Sequence, residues 1–253
     1  MHSQPSPASD GHDGGTLTRV VIVAKTRMGA ASCIGGLVES TGQAIRPLPV
    51  GGFCHPADPK FHIGEVWDMS LRPRPSLEAP HIEDHDAWNA HKVRTVPDLP
   101  GLIKQMARPW TVAAKLLFDG TLRWRRTGTG YIPRGGPLPK SSVGFWVLPQ
   151  PLLLEAHEGR SHYLSVKGFR IKVPYVGFEE PVFRLPAGTL VRVSLARWWN
   201  NLHDPSEGET CSLQLSGWFG LAGAKPATPP NTPSVAAAPP APVPKLDDDN
   251  YPF

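Results

Sequence analysis

The stretch from Leu122 to Arg134 (LRWRRTGTGYIPR) sets two aromatic rings, Trp124 and Tyr131, among four guanidinium groups, Arg123, Arg125, Arg126 and Arg134. Cations of this kind neutralise phosphates, rings stack on bases, and the intervening glycines let a backbone approach closely. A surface loop carrying a snorkelling Trp is the plainer reading of the same residues. If Trp124 stacks on a base, its loss should cost roughly 1–3 kcal/mol of affinity. Further cations flank predicted strands: Lys25 and Arg27 follow the first, and Arg46 closes the third, so the three can meet at one rim. They suit phosphate contact, or for Arg46 an ion pair with Glu65, Glu83 or Asp84. Arg197, Trp198 and Trp199 make another cationic aromatic group. Neighbouring strand residues point to opposite faces, so one Trp is expected in the core and one, taken as Trp198, on the surface.

A second constellation, Pro80 to His91 (PHIEDHDAWNAH), gathers His81, Glu83, Asp84, His85, Asp86 and His91. Imidazole and carboxylate ligands at His-x3-His spacing could hold zinc from one helical face. A hydrolytic site would recruit a further ligand from elsewhere, which the sequence does not offer. A polar segment capping a barrel through hydrogen bonds is therefore preferred, and no cofactor or metal is assigned. Cys33, beside Ile34 and Gly35 on an apolar strand, reads as a buried thiol rather than a nucleophile. Neither a phosphate-binding Gly-rich loop ending in Lys-Ser/Thr nor a Gly-x-Ser-x-Gly elbow is present, and the chain is read as a non-enzyme.

The elements that must position these residues are mainly β. Leu17 to Lys25 is a β-branched run, Ser32 to Ser40 and Gln43 to Leu48 follow around a Thr41-Gly42 turn, and Gly64 to Leu71 alternates as a fourth strand. Leu99 to Met106 and Thr111 to Phe118 have helical spacing, split by Pro109. Val143 to Glu155, Ser161 to Val173, Thr189 to Ala196 and Cys211 to Leu221 return to strand composition. Two small barrels joined by a partly helical connector fit this order, with one large sandwich as the competing architecture.

The opening AKTRMGAASCIGGLVESTGQAIRPL, the later PHIEDHDAW, and the closing VRVSLARWW with SLQLSGWFG resemble the bacterial dual OB-containing domain family over roughly residues 18–221. Asp84 and His85 stand where the family pattern has a Glu-Asn pair. The resemblance implies two tandem OB-like barrels and binding of single-stranded DNA or RNA. The expected organisation is a disordered arm (1–16), a first barrel (17–96), a connector with the basic loop (97–141), a second barrel (142–221), a disordered linker (222–246) and an acidic tip (247–253).

That tip, Asp247, Asp248 and Asp249 followed by Asn250, Tyr251, Pro252 and Phe253, resembles the acidic end of bacterial single-stranded DNA-binding proteins. The resemblance implies docking on replication or repair enzymes: an Arg-capped pocket takes the ring and carboxylate, and a basic ridge takes the aspartates. Ahead of it, Pro226 to Pro244 is rich in Pro and Ala and is expected to be a disordered tether. At about 5–6 Å × √n its reach is roughly 30 Å. The chain carries a formal +4; the stretch from Pro226 holds one Lys and three Asp, a net −2, leaving +6 on the part before it. A basic body suits a polyanion, and an acidic tail suits a basic partner.

Three scattered cysteines, Cys33, Cys54 and Cys211, with no metal-type pairing point to a reducing cytoplasm. The opening residues lack signal-peptide order, and no stretch has the length and apolarity of a membrane span. Two rival functions stand beside that of a nucleic-acid-binding adaptor: a protein-interaction module of a mobile-element or defence system without DNA affinity, and a metal-dependent nuclease.

Overall fold

The computed structural model describes residues 17–157, 159–200 and 208–221. The residues of the acidic tip, Asp247, Asp248, Asp249, Pro252 and Phe253, lie outside them, as do the expected N-terminal arm and C-terminal linker. The described residues are mainly strand, with one α-helix.

The first barrel forms from β1 (Thr18–Met28), β2 (Ala31–Val38), β3 (Ala44–Pro49), a short β4 (His55–Pro56), β5 (Glu65–Pro73) and β6 (Asp84–Thr95). Antiparallel β1–β2, β2–β3, β5–β6 and β1–β5 pairings and a parallel β3–β6 pairing close the ring, with β4 on the edge of β2. Val20, Ile22, Ile34, Ile45, Trp67 and Met69 fill its interior. Val21, Val23, Leu37 and Val66 point the other way, onto Ile103 and onto Phe145, Leu190 and Phe219 of the second half. A strand buried on both faces needs an unbroken apolar run, and VVIVA in β1 is that run.

Helix α1 (Leu99–Ala107) follows. It is capped by Asp98, whose carboxylate accepts from the Gly101 amide at 2.9 Å, and it stops at Arg108 in a left-handed conformation. The helix expected over Thr111 to Phe118 is absent. Trp110 instead exchanges backbone hydrogen bonds with Phe145 (2.8 Å) and Val147 (2.9 Å), which draws this segment onto a strand edge. Two single 3₁₀ turns, Ala114–Leu116 and Phe118–Gly120, are all that remains of the helical pattern.

The second half contains β7 (Arg123–Trp124), β8 (Gly130–Pro133), β9 (Val143–Val147), β10 (Leu152–His157), β11 (Arg160–Ser165), β12 (Lys172–Pro174), β13 (Arg184–Leu185), β14 (Leu190–Leu195), β15 (Trp199–Asn200) and β16 (Glu209–Phe219). Its pairings repeat the order of the first ring. With β9 and β10 taken as one strand bent around Pro149 and Pro151, the order runs β10–β11–β12, then a parallel contact to β16, then β14 and back to β9. That parallel contact is a bridge between Tyr175 and Leu215, with the Val176 amide donating to the Leu215 carbonyl at 3.0 Å. The run expected as one strand from Ser161 to Val173 is split into β11 and β12 by a turn at Gly168, which adopts φ +71°. Trp146, Tyr163, Ile171, Leu213 and Leu215 share the interior of this half.

Candidate nucleic-acid interface

A groove of ≈ 350 Å³ runs along the face of the second barrel formed by β11, the end of β12 and the start of β16. It is lined by Arg160 and His162 of β11, Tyr175 after β12, Arg197 and Trp199 after β14, and Arg27 from the end of β1. In OB folds the second and third strands, with the loop between the fourth and fifth, form the face that takes oligonucleotides. In the pairing order described above those strands are β11 and β12, and Arg197 and Trp199 open the connection from β14 to β16. Burial lowers the pKa of His162, with Lys172 adding to it, so the ring is neutral at physiological pH and the charge of the groove comes from its arginines.

Arg27 reaches the groove because the barrels join there. Its amide donates to the Val176 carbonyl at 2.9 Å, its guanidinium donates to the Phe178 carbonyl at 2.9 Å, and Thr26 forms a β-bridge with Gly177. Lys25, on the same strand, lies 4.6 Å from the centre of the Phe178 ring and 3.3 Å from Asp58. Arg46 is directed inward and ion-paired with Asp84, one of the three carboxylates that its sequence context offers it. The three cations expected at one rim are thus divided between groove edge, surface ion pair and interior.

The segment Glu78 to Asp86 clasps the two barrels together. Glu78 pairs with Arg134 at 2.7 Å, and the Ala79 carbonyl accepts from the Trp198 indole at 3.1 Å. His81, 2% exposed, lies 3.5 Å from the Cys211 thiol. Glu83 accepts from the Ser141 hydroxyl, the Ser142 amide and the Ser142 hydroxyl, each at 2.7 Å. Asp84 is shared by Arg46 of the first barrel and Arg197 of the second. Asp86 holds Arg72 at 3.1 Å and Arg74 at 3.0 Å. His81, Glu83, Asp84 and Asp86 are buried because each has its partner across or beside the junction.

No helix forms here for a His-x3-His pair to share. Asp84 onward is strand β6, the His85 ring meets the Glu83 carbonyl at 2.9 Å, and exposed His91 faces Asp68 at 3.8 Å. Among the described residues no group of three or more His, Cys, Asp or Glu side chains is placed to hold a metal ion. Burial drives the His81 pKa down to about 4 and pushes the Cys211 thiol up to about 12, so both are neutral packing groups at pH 7.

The basic hairpin of β7 and β8 is built differently from a stacking platform. Trp124 lies over Gly130, meets Phe169 edge-on at 5.1 Å between ring centres, and packs against the core of the second barrel. Tyr131 is covered by the Arg125 guanidinium at 4.1 Å. Arg123 and Arg126 are exposed on the hairpin. Arg134 sits 4.7 Å over the Trp198 ring and pairs with Glu78 and Glu209. Trp198, expected on the surface, is held between that guanidinium and the second core, and its neighbour Trp199 is the one that lines the groove. Of the sequence-derived candidates, Arg27 and Arg197 reach the groove; Arg160, His162, Tyr175 and Trp199 join them without a prior assignment to it. Trp199 carries a signal, since adjacent tryptophans on a strand diverge. Arg160 and His162 carry none.

A family model described as a dual OB-containing domain matches residues 18–218. No curated protein matches the chain. Among solved structures, the crystal structure of the p204 HINb domain aligns with 82% of this chain and 100% of that chain, at 11% identity and a TM-score of 0.32. Among the described residues no helix is long and apolar enough to cross a membrane.

Proposed function

The chain belongs to the dual OB-containing domain family, and on that premise we propose that it binds single-stranded nucleic acid, DNA first of all, in the groove of the second barrel. The observation that carries this reading is the meeting of Arg27, Arg160 and Arg197 with Trp199 and Tyr175 on the strand face that OB folds use for oligonucleotides. Phosphates then meet guanidinium groups and bases meet rings, a combination indifferent to sequence because every base has a π-face. The role is that of a binder, not a catalyst.

The finer reading is an adaptor. Asp247, Asp248, Asp249, Pro252 and Phe253 would dock on a replication or repair enzyme while the barrels hold the strand. Support for this part comes from the composition of the tip and tether and from the opposite charges of body and tail.

Fluorescence anisotropy of labelled single-stranded and duplex oligonucleotides over a salt series, with the full chain and a chain shortened to Lys225, tests both parts. The expected result is salt-dependent preference for single strands, equal or tighter in the shortened chain. Absence of binding by both chains sinks the proposal. Capture of partner enzymes by the full chain but not by one lacking Asp247 to Phe253 tests the adaptor role; equal capture by both removes it.

A further inference from the structure

Behind the groove, between β1–β2 of the first barrel and β14 of the second, lies a cavity of ≈ 60 Å³ whose polar lining includes Arg46, Arg192, Cys33, Ser142, Ser194 and Gln214. Arg192 is 7% exposed and donates to the Ser216 hydroxyl at 2.9 Å, yet among the described residues no carboxylate stands within ion-pair distance of it. Burial lowers its pKa only to about 10, so it keeps its charge at neutral pH. Arg46, also on the cavity wall, sets both its Nε and its Nη2 against the Asp84 carboxylate, so its charge is matched within the first barrel. Glu83, the acid on the cavity wall, is occupied by Ser141 and Ser142.

A buried guanidinium with no carboxylate in contact is costly, and the cavity beside Arg192 gives an anion the space to meet it. Room for the Arg192 guanidinium comes from Gly35, where a Cβ would stand 2.7 Å from its Nη2. A water needs about 10–15 Å³ of such space, so the cavity holds roughly four waters or one tetrahedral oxyanion, and no sugar or base. It shares Arg27, Val176, Ala196, Arg197 and Gln214 with the groove, which therefore leads to it.

We infer that the junction cavity is a phosphate site and that, resting on the single-strand reading of the groove, it takes the terminal phosphate of a strand lying there. A cavity too small to pass a nucleoside cannot thread an internal phosphodiester, so the group that enters is an end. Donation from the Arg192 guanidinium suits a phosphate monoester, whose charge exceeds that of an internal linkage.

The test uses the full chain with matched single strands bearing a 5′-phosphate, a 3′-phosphate or hydroxyls at both ends, beside thermal unfolding in inorganic phosphate against chloride of equal ionic strength. One phosphorylated end is expected to bind roughly tenfold tighter than the hydroxyl-ended strand, and phosphate is expected to raise Tm. In Arg192→Gln the ratio of phosphorylated to hydroxyl-ended affinity should fall to about one. Should that variant fail to fold, Ser194→Val, which narrows the cavity without changing its charge, should lower the same ratio. Equal binding of all three strands overturns the strand-end assignment and leaves the single-strand reading standing. A Tm rise with equal strand affinities assigns the cavity to free phosphate instead. A Tm rise with no strand binding supports the anion site and sinks the groove reading. No preference and no Tm rise overturn the inference.

Discussion

Asp84, at the start of β6 in the first barrel, is ion-paired with Arg197, which follows β14 in the second. The same carboxylate holds Arg46 within its own barrel. Burial raises the pKa of Asp84 even with Arg46 beside it, so the arrangement is costly to assemble. Taking the charge away is costlier still, because two guanidinium groups lose their counter-ion.

Asp84→Asn is therefore expected to lower the unfolding free energy by roughly 3 kcal/mol, at the low end for a buried pair because Arg197 reaches solvent. Chemical denaturation measures it. A double-mutant cycle with Arg197→Met should show coupling of about 1 kcal/mol or more; additive effects would mean that the two residues hold the barrels independently.

His81 gives the junction a pH dependence. Its ring is packed against Cys211 and the Ala196 carbonyl, with Arg46 opposing a proton and Glu83 and Glu78 favouring one. Its folded pKa of about 4 lies below the ordinary 6.5, so between these values the unfolded chain binds a proton that the folded chain refuses. Stability is therefore whole above pH 6.5 and falls as pH drops toward 4, by up to about 3 kcal/mol from this group. His55 and His162 are also lowered and act in the same direction. A denaturation series from about pH 7.5 to about pH 4 should show a shallower loss in His81→Gln than in the parent chain.

Trp124 and Trp199 should separate stability from binding. Trp124→Ala empties a place between Gly130, Phe169 and the second core, and should cost roughly 3 kcal/mol of stability while single-strand affinity is kept. Trp199→Ala removes a ring from the groove and should cost roughly 1–3 kcal/mol of affinity, with Trp199→Phe recovering most of it. Reversed outcomes would move the interface to the hairpin of β7 and β8.

Val20 to Ala24 is legible as a buried strand because apolar runs are local. Strand β6 is hidden because its first residues, Asp84, His85 and Asp86, are polar and buried at once, a state that depends on Arg46, Arg72, Arg74 and Arg197 arriving from elsewhere. The density of arginine around Trp124 draws attention to a hairpin whose indole belongs to the core, while the groove collects single cations from β1, β11 and the end of β14. The pairing order of the second barrel and the Thr26–Gly177 bridge bring Arg27 beside Arg160. Spacing along the chain carries no trace of either.

Salt should reveal which charges hold the strand. Each groove guanidinium that neutralises a phosphate releases counter-ions, at a slope of about 0.7 per contact for single strands in a plot of log affinity against log salt. Arg27 lines the groove, donates to the Phe178 carbonyl and has no carboxylate partner among the described residues, so no acid competes with a phosphate for it. Arg160 lines the same groove from β11. Arg27→Ala and Arg160→Ala should each weaken single-strand binding across sequences and reduce the slope by about 0.7. Arg19 is the control: it is held by Asp68 at 3.0 Å and Glu39 at 3.7 Å on the first barrel, and Arg19→Ala should leave the slope unchanged. If Arg19→Ala lowers the slope as much as Arg160→Ala does, binding follows the overall charge of the body and the groove is not its seat.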